Sequence, residues 1–287
     1  MKQFVHAILS AAALATLVGC ASSQEEKLFP IDDPLRDEIA RDVDEKIQFV
    51  KENMFDPTES DYSSEFAKDF FNSTPAVAQQ KEFRTLSYTM ESLDGKMKVS
   101  YTFALGRRMK FVVTDSNNKV YYAQILNGDN AYASNDGITY KRITLAEHIN
   151  ELRLTYDMAM AFAKNAKEVT LAEIDMNGTK EPMTVKIDDQ RCWRFDVKLG
   201  DSDYEALVSV FITADEKRHQ VANRVVSLKG LAKAPVMINC SRFFVKDGVV
   251  FPGFITTDSK DAPQMTIKNL VVNGSVSDLE FEPDTLN

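Results

Sequence analysis

Hydrophobic positions recur along this chain with two periods. Leu35, Ile39, Val43, Ile47, Val50 and Met54 follow one another at spacings of three and four, the stripe of an amphipathic helix. Asp32 and Asp33 offer an N-cap, Pro34 suits the first helical position, and Asp37 and Glu38 sit where the helix dipole favours acids. Phe66, Phe70 and Phe71 predict a shorter helix within 58–82. From Phe83 the period changes to two. Met97, Val99, Tyr101 and Phe103 alternate with Lys98, Ser100 and Thr102, and further runs cover 109–115 and 119–127. Asp94-Gly95, Asn117-Asn118, Gly128-Asp129-Asn130 and Asp136-Gly137 separate these runs by links too short for parallel crossovers. The prediction is an antiparallel meander.

A helix over 144–166 interrupts it, with Thr144 as the expected cap. Leu145, Ile149, Leu152, Tyr156, Ala159 and Ala163 share one face, and Met158 and Phe162 widen it. A helix apolar on two sides is expected to be packed deep. Alternation resumes at Trp193, Phe195, Val197 and Leu199, and strands follow over 204–213, 220–228, 236–245, 249–252, 266–272 and 279–281. The expected fold is α+β and β-dominated, with about eleven strands. No low-complexity linker divides residues 32–287, so they are read as one domain.

The first residues read differently. Lys2 precedes a mostly apolar stretch from Phe4 to Val18, too short to span a bilayer comfortably. Its exit, Leu17-Val18-Gly19-Cys20, resembles the bacterial lipobox. That resemblance implies a signal peptide over 1–19, acylation of Cys20 and a tether over 20–31. A non-lipidated signal or a short anchor is the alternative. Two or three acyl chains, at about 0.8 kcal/mol per buried methylene, hold a protein on a membrane where one does not. Ala21 after the cysteine favours the outer membrane by resemblance to the enteric sorting rule.

Composition narrows the function classes. The 287 residues carry a formal charge of −9. This argues against nucleic acid and against strong adsorption to anionic lipid. A hydrophobic fraction of 44% excludes a disordered chain, and three cysteines exclude a disulfide scaffold.

Candidate chemistry is sparse. His6 goes with the leader, leaving His148 and His219 on unrelated elements. No zinc-binding His pair, nucleophile elbow or phosphate-binding Gly loop occurs. No enzymatic activity, metal or cofactor is expected. Cys192 and Cys240 fall in predicted strands with two strands between them. Three spacings of ~4.8 Å exceed the ~7 Å limit for a bridge, although curvature or another strand order would permit one. Met158, Phe162, Trp193, Phe195, Val197, Tyr101 and Phe103 are either filled core or the lining of a cavity, and volume separates the two.

The order of lipobox, helix, meander, central helix and second meander resembles the periplasmic lipoprotein-carrier fold, the LolA/LolB-like superfamily. Supporting segments are Val99–Phe103 through Asn127-Gly128-Asp129-Asn130-Ala131-Tyr132, then Asp247-Gly248-Val249-Val250-Phe251-Pro252, Thr266–Asn273 and Asp278-Leu279-Glu280-Phe281-Glu282-Pro283. The resemblance implies an incomplete β-barrel with helices on its concave face and an apolar interior that takes acyl chains. It implies an envelope lipoprotein that binds lipid or lipoprotein acyl chains in trafficking to the outer membrane. Its partners would be the membrane, through its own acyl chains, and a lipid or lipoprotein ligand. The chain departs from the family's two known jobs. It is longer than the anchored receptor and lacks a match for its protruding apolar loop, and the soluble carrier has no anchor. The other reading is a non-catalytic interaction lipoprotein that docks partners on its curved sheet. Oligomeric state is left open.

Overall fold

Strict alternation and short polar turns set the first half of the chain. The computed structural model describes residues 64–176, 179–187, 189–214, 218–229, 237–257 and 262–283. The leader, Cys20, the tether and the predicted helix at 35–54 lie outside the described residues. Strand β1 (Thr85–Ser92) buries Leu86, Tyr88, Met90 and Ser92, every second residue. The pattern continues through β2 (Met97–Ala104) and β3 (Arg108–Asp115), then β4 (Val120–Asn127) and β5 (Asn130–Ser134). Gly95 and Gly128 take positive φ in the turns, as hairpin links require. A two-residue strand, β6 (Lys141–Arg142), ends the meander.

The second half is built on β11 (Gln190–Gly200), β12 (Glu205–Thr213), β13 (Gln220–Lys229) and β14 (Met237–Ser241). Strands β17 (Phe254–Thr257) and β18 (Met265–Val272) follow. β18 then pairs antiparallel with β1, from Leu86 opposite Val272 to Ser92 opposite Met265. This splice joins both halves into one fourteen-stranded antiparallel sheet. The sheet is curved but open. One edge is β6; at the other, β11 shares its outer side between β7 (Ala166–Leu171) and β10 (Thr184–Ile187).

The central helix runs between those edges. It leaves β6, forms α3 (Ala146–Met160), and returns through α4 (Phe162–Asn165) into β7. Every residue from Leu152 to Met160 is buried, so the expectation of deep packing holds. The helix is not continuous over 144–166, because it breaks at Ala161 (φ −144°). Thr144 is not the cap; Leu145 holds that position and makes no side-chain bond there.

Before the sheet come α1 (Ser64–Ser73) and α2 (Pro75–Gln80). Phe70 of α1 lies 5.1 Å from Trp193 and 5.2 Å from Phe195, and Phe71 meets Phe162 edge-on at 5.1 Å. A second aromatic row, Tyr88, Tyr101 and Phe111, lines the first meander at centroid spacings of 5.2 and 5.7 Å. Both rows and α3 belong to one continuous core.

Eighteen strands occur among the described residues against about eleven expected. The difference lies in short pieces: β7 and β10 at the sheet's edge, and β8 (Glu173–Met176) with β9 (Thr179–Pro182), a separate two-stranded hairpin. It also lies in the division of the expected 236–245 strand into β14 and β15 (Phe244–Lys246), which pairs with the expected β16 (Val249–Phe251) as a separate hairpin. The expected last strand at 279–281 is a 3-10 turn, Asp278–Phe281, opened by the Ser277 hydroxyl accepting from Leu279 N–H. Among the described residues no helix is long and apolar enough to cross a membrane.

Twist sets which loops meet. β4 and β12 lie eight strand-to-strand steps apart and run in the same sense, so the β4–β5 and β11–β12 turns are at opposite ends of the sheet. At the usual 20–25° per step, the strand direction turns through about 160–200° over that path. The two turns thereby reach the same helix: Arg153 of α3 bonds Asp129 from one and Asp203 from the other.

Gly200 opens the β11–β12 turn at φ +124°, and a Cβ there would lie 2.2 Å from Tyr204 O. Replacement by Ala forces the backbone apart in the turn that carries Asp201, Asp203 and Tyr204. Gly200→Ala is expected to cost about 2 kcal/mol or more. Urea unfolding measures it, and an unshifted midpoint would contradict this account of the turn.

Candidate functional site

Two features of the interior can do more than pack: a polar seam along α3 and a capped cavity beside its break. The seam comes from Asn150, Arg153 and Asp157, three and four residues apart and therefore on one helix face. The Arg153 guanidinium, almost wholly buried, donates to Asp203 Oδ2 at 2.7 Å, Asp129 Oδ1 at 2.8 Å and Asn150 Oδ1 at 3.3 Å. One turn later Asp157, fully buried, accepts from the Tyr204 hydroxyl at 2.5 Å. Arg107 lies 3.7 Å from the same carboxylate and 3.0 Å from Asp201. Arg107 holds φ +55° in the β2–β3 turn, a region that disfavours a side chain with a Cβ. Its contacts with two acids hold it there.

Both buried ionic groups of α3, Arg153 and Asp157, thus touch turns from both meanders. Burial raises the Asp157 carboxyl above its ordinary range, against the opposing pull of Tyr204 and Arg107. Burial likewise raises the Tyr204 hydroxyl, with the nearby Asp157 charge adding to it.

The cavity lies on the other side of α3, where the helix breaks, and measures about 90 Å3. Its floor is Phe83, Leu86, Met158, Ala159 and Phe162, with Cys240 and Asn223 beside them. Around the opening stand Pro75 and Ala76 of α2, His219 and Gln220 at the start of β13, and Phe243 and Pro252 around the β15–β16 hairpin. None of the lining residues is Asp, Glu, Lys or Arg.

Two adjacent glutamines of α2 close it. Gln80 Nε2 donates to Met158 O at 2.7 Å, and its Oε1 accepts from Phe162 N–H at 2.9 Å. One side chain therefore serves backbone groups on both sides of the helix break. Gln79 repeats the arrangement on the hairpin: Nε2 donates to Gly248 O at 3.3 Å and Oε1 accepts from Val250 N–H at 3.0 Å. That hairpin turns on Asp247 and Gly248, both at positive φ, as a tight two-residue link needs. Short helix, hairpin and helix break are tied together by four hydrogen bonds from two residues.

Of the residues singled out in the sequence, Met158 and Phe162 stand on the cavity wall. Trp193, Phe195, Val197, Tyr101 and Phe103 are buried in the surrounding core and do not line this cavity. Cys192 and Cys240 are free thiols on β11 and β14, with β12 and β13 between them. Cys192 packs with Phe211, Val185, Val221 and Ala222, whereas Cys240 faces the cavity and burial pushes its thiol up to about 12. His148 bonds Glu151 on α3 (3.3 Å), and His219 lies 4.9 Å from the Phe243 ring.

Sequence reasoning missed the seam and the glutamine pair. A Gly106-Arg107 turn was the one local sign of the first. Nothing marks Gln79 and Gln80, because their partners are 78 to 171 residues away.

Fold and site together define a class: an open, strongly twisted antiparallel sheet wrapped on an internal helix, with a small apolar cavity under a short helix and a hairpin. No family model and no curated protein sequence matches the chain. Solved structures similar to it include a LolA-superfamily protein from Nitrosomonas europaea, at 13% identity and a TM-score of 0.47. That alignment covers 77% of this chain and 99% of the other. A DUF1329-family protein from Desulfovibrio piger aligns at 11% identity and 0.49, over 78% and 99%. Lipoprotein LppX from Mycobacterium tuberculosis aligns at 13% identity and 0.30, over 75% and 99%. With every TM-score under 0.5, these likenesses assign no ligand and no task to this chain.

The seam has a pH signature. Because the folded-state pKa of Asp157 is raised, the folded protein holds its proton to higher pH than the unfolded chain. The ionised group costs stability above that folded pKa, and the cost disappears as pH falls towards the unfolded value. Asp157→Asn removes the titration. The stability difference, variant minus parent, is expected to grow with pH across this window. Urea midpoints from pH 4 to 8 test it, and parallel profiles would contradict it.

Proposed function

We infer that this chain is a non-catalytic envelope lipoprotein that binds lipid, or the acyl chains of lipoproteins, in the cavity beneath α2. Its part would lie in lipid or lipoprotein trafficking to the outer membrane, with acyl groups on Cys20 as its anchor. The observation that carries this reading is the cavity itself. An apolar floor lies under α2 and the β15–β16 hairpin, which the Gln79 and Gln80 side chains tie to each other and to the helix break. At about 90 Å3 the closed cavity is well below the ~300 Å3 at which ligand pockets begin. Entry of an acyl chain therefore requires α2 and the hairpin to lift. Lifting breaks these four hydrogen bonds, worth about 1 kcal/mol each, and withdraws Val77 and Val249 from the core and Lys246 from Leu270 O, against the ~25 cal/mol per Å2 gained by burying a chain.

One observation favours the second reading, an interaction lipoprotein with a filled interior. Eleven of the largest side chains, Trp193 and Tyr88 among them, are less than 2% exposed. The interior is a packed core over most of its extent, and the cavity is local.

Native mass spectrometry of the full chain bearing Cys20→Ser, which removes its own acylation site, separates the two. The lipid reading expects co-purified acyl lipid or uptake of the uncharged fluorophore N-phenyl-1-naphthylamine. Gln79→Ala with Gln80→Ala is expected to raise the uptake rate by about two to three orders of magnitude, the effect of losing four bonds of about 1 kcal/mol each. A parent and a double variant that both stay empty and dark would leave the interaction reading.

A further inference from the structure

The cavity is lined by no Asp, Glu, Lys or Arg, but it is not wholly apolar: Gln79 and Gln80 of α2, whose amides are taken up by backbone groups, line it together with Gln220 and Asn223 of β13. Asn223, 2% exposed, stands on β13 among otherwise apolar floor residues. Gln220 Nε2 donates to Asn223 Oδ1 at 2.6 Å, which fixes both amides relative to the strand. His219 adjoins them at the opening, its backbone N–H held by Thr213 Oγ1 at 2.8 Å. The opposite wall is Phe83, Leu86 and Phe162.

Such a site discriminates by charge. A carboxylate or phosphate brought inside loses its hydration and meets no cation among the lining residues, which is costly in a poorly polarisable interior. A neutral ester, amide or hydroxyl loses much less and can exchange water for a carboxamide. Resting on the lipid-binding reading above, we propose that the β13 wall of Gln220 and Asn223 selects acyl compounds whose polar group is uncharged, an ester, amide or alcohol. The carbon chain lies against Leu86, Met158 and Phe162, and the polar group lies against β13. Free fatty acids and phospholipid headgroups are rejected by the same wall.

The test uses the full chain bearing Cys20→Ser, with N-phenyl-1-naphthylamine as an uncharged reporter. It is displaced by 1-monolauroylglycerol or by laurate, both below their micellar concentrations at pH 7.5. The ester is expected to displace the reporter at a concentration at least tenfold lower than the carboxylate of the same chain length. Asn223→Leu is expected to raise the ester concentration needed about tenfold while that of laurate stays within about twofold of the parent's, and a urea midpoint near the parent's shows that the variant is folded. Gln220→Leu, at a half-exposed position, is expected to act in the same direction and serves if the buried substitution does not fold. Equal displacement by ester and carboxylate, or a loss of reporter uptake that matches the loss of ester binding, overturns the proposal while the lipid reading stands. A parent that takes up neither reporter nor ester overturns both.

Discussion

A helix that must bury charge governs this fold. From Leu152 to Met160 every residue of α3 is out of water, and that run includes Arg153 and Asp157. A buried guanidinium or carboxylate is tolerated only beside partners, and on this chain the partners sit on turns from both meanders: Asp129 and Arg107 from the first, Asp201, Asp203 and Tyr204 from the second. The sheet has to twist far enough to bring those turns to one helix. The same demand leaves the opposite side of α3 for apolar contacts and places Met158, Ala159 and Phe162 at the cavity. Polar seam and apolar cavity are two faces of one constraint.

Where one face of a strand is buried and the other wet, the sequence is readable. β2 to β4 fall within a residue or two of their expected limits, because Met97, Val99 and Tyr101, or Met109, Phe111 and Val113, leave no other register. The short strands β8, β9 and β10 escape because a strand of four residues at an edge or in a separate hairpin needs no two-faced pattern. At 279–281 three residues are too few to separate strand from 3-10 turn. The break at Ala161 has no Gly or Pro to announce it; its freed backbone groups are served by Gln80, far off in sequence.

The candidate site was half legible for the same reason. Met158 and Phe162 could be named from helical spacing. Asn223, Gln220 and His219 could not, because an amide on a strand gives no sign of whether it faces solvent or a cavity. Trp193 and Phe195 were equally apolar on paper, yet α1 covers them with Phe66 and Phe70. Periodicity tells which face of an element is inward but not whether the space it meets is already filled.

The splice between β1 and β18 has a kinetic consequence. Leu86 opposes Val272, so the sheet's central pairing joins segments at the two ends of the described chain. Closing a loop of that length costs entropy before any contact repays it, and a chain made from its N-terminus has no β18 to offer until every strand between β1 and β18 has been made. During that interval the outer backbone edge of β1 is an unpaired strand, open to any extended segment that reaches it first. A strand made after both meanders therefore fills the middle of the sheet, and the refolding rate of this protein should follow the stability of β18 more closely than that of either meander.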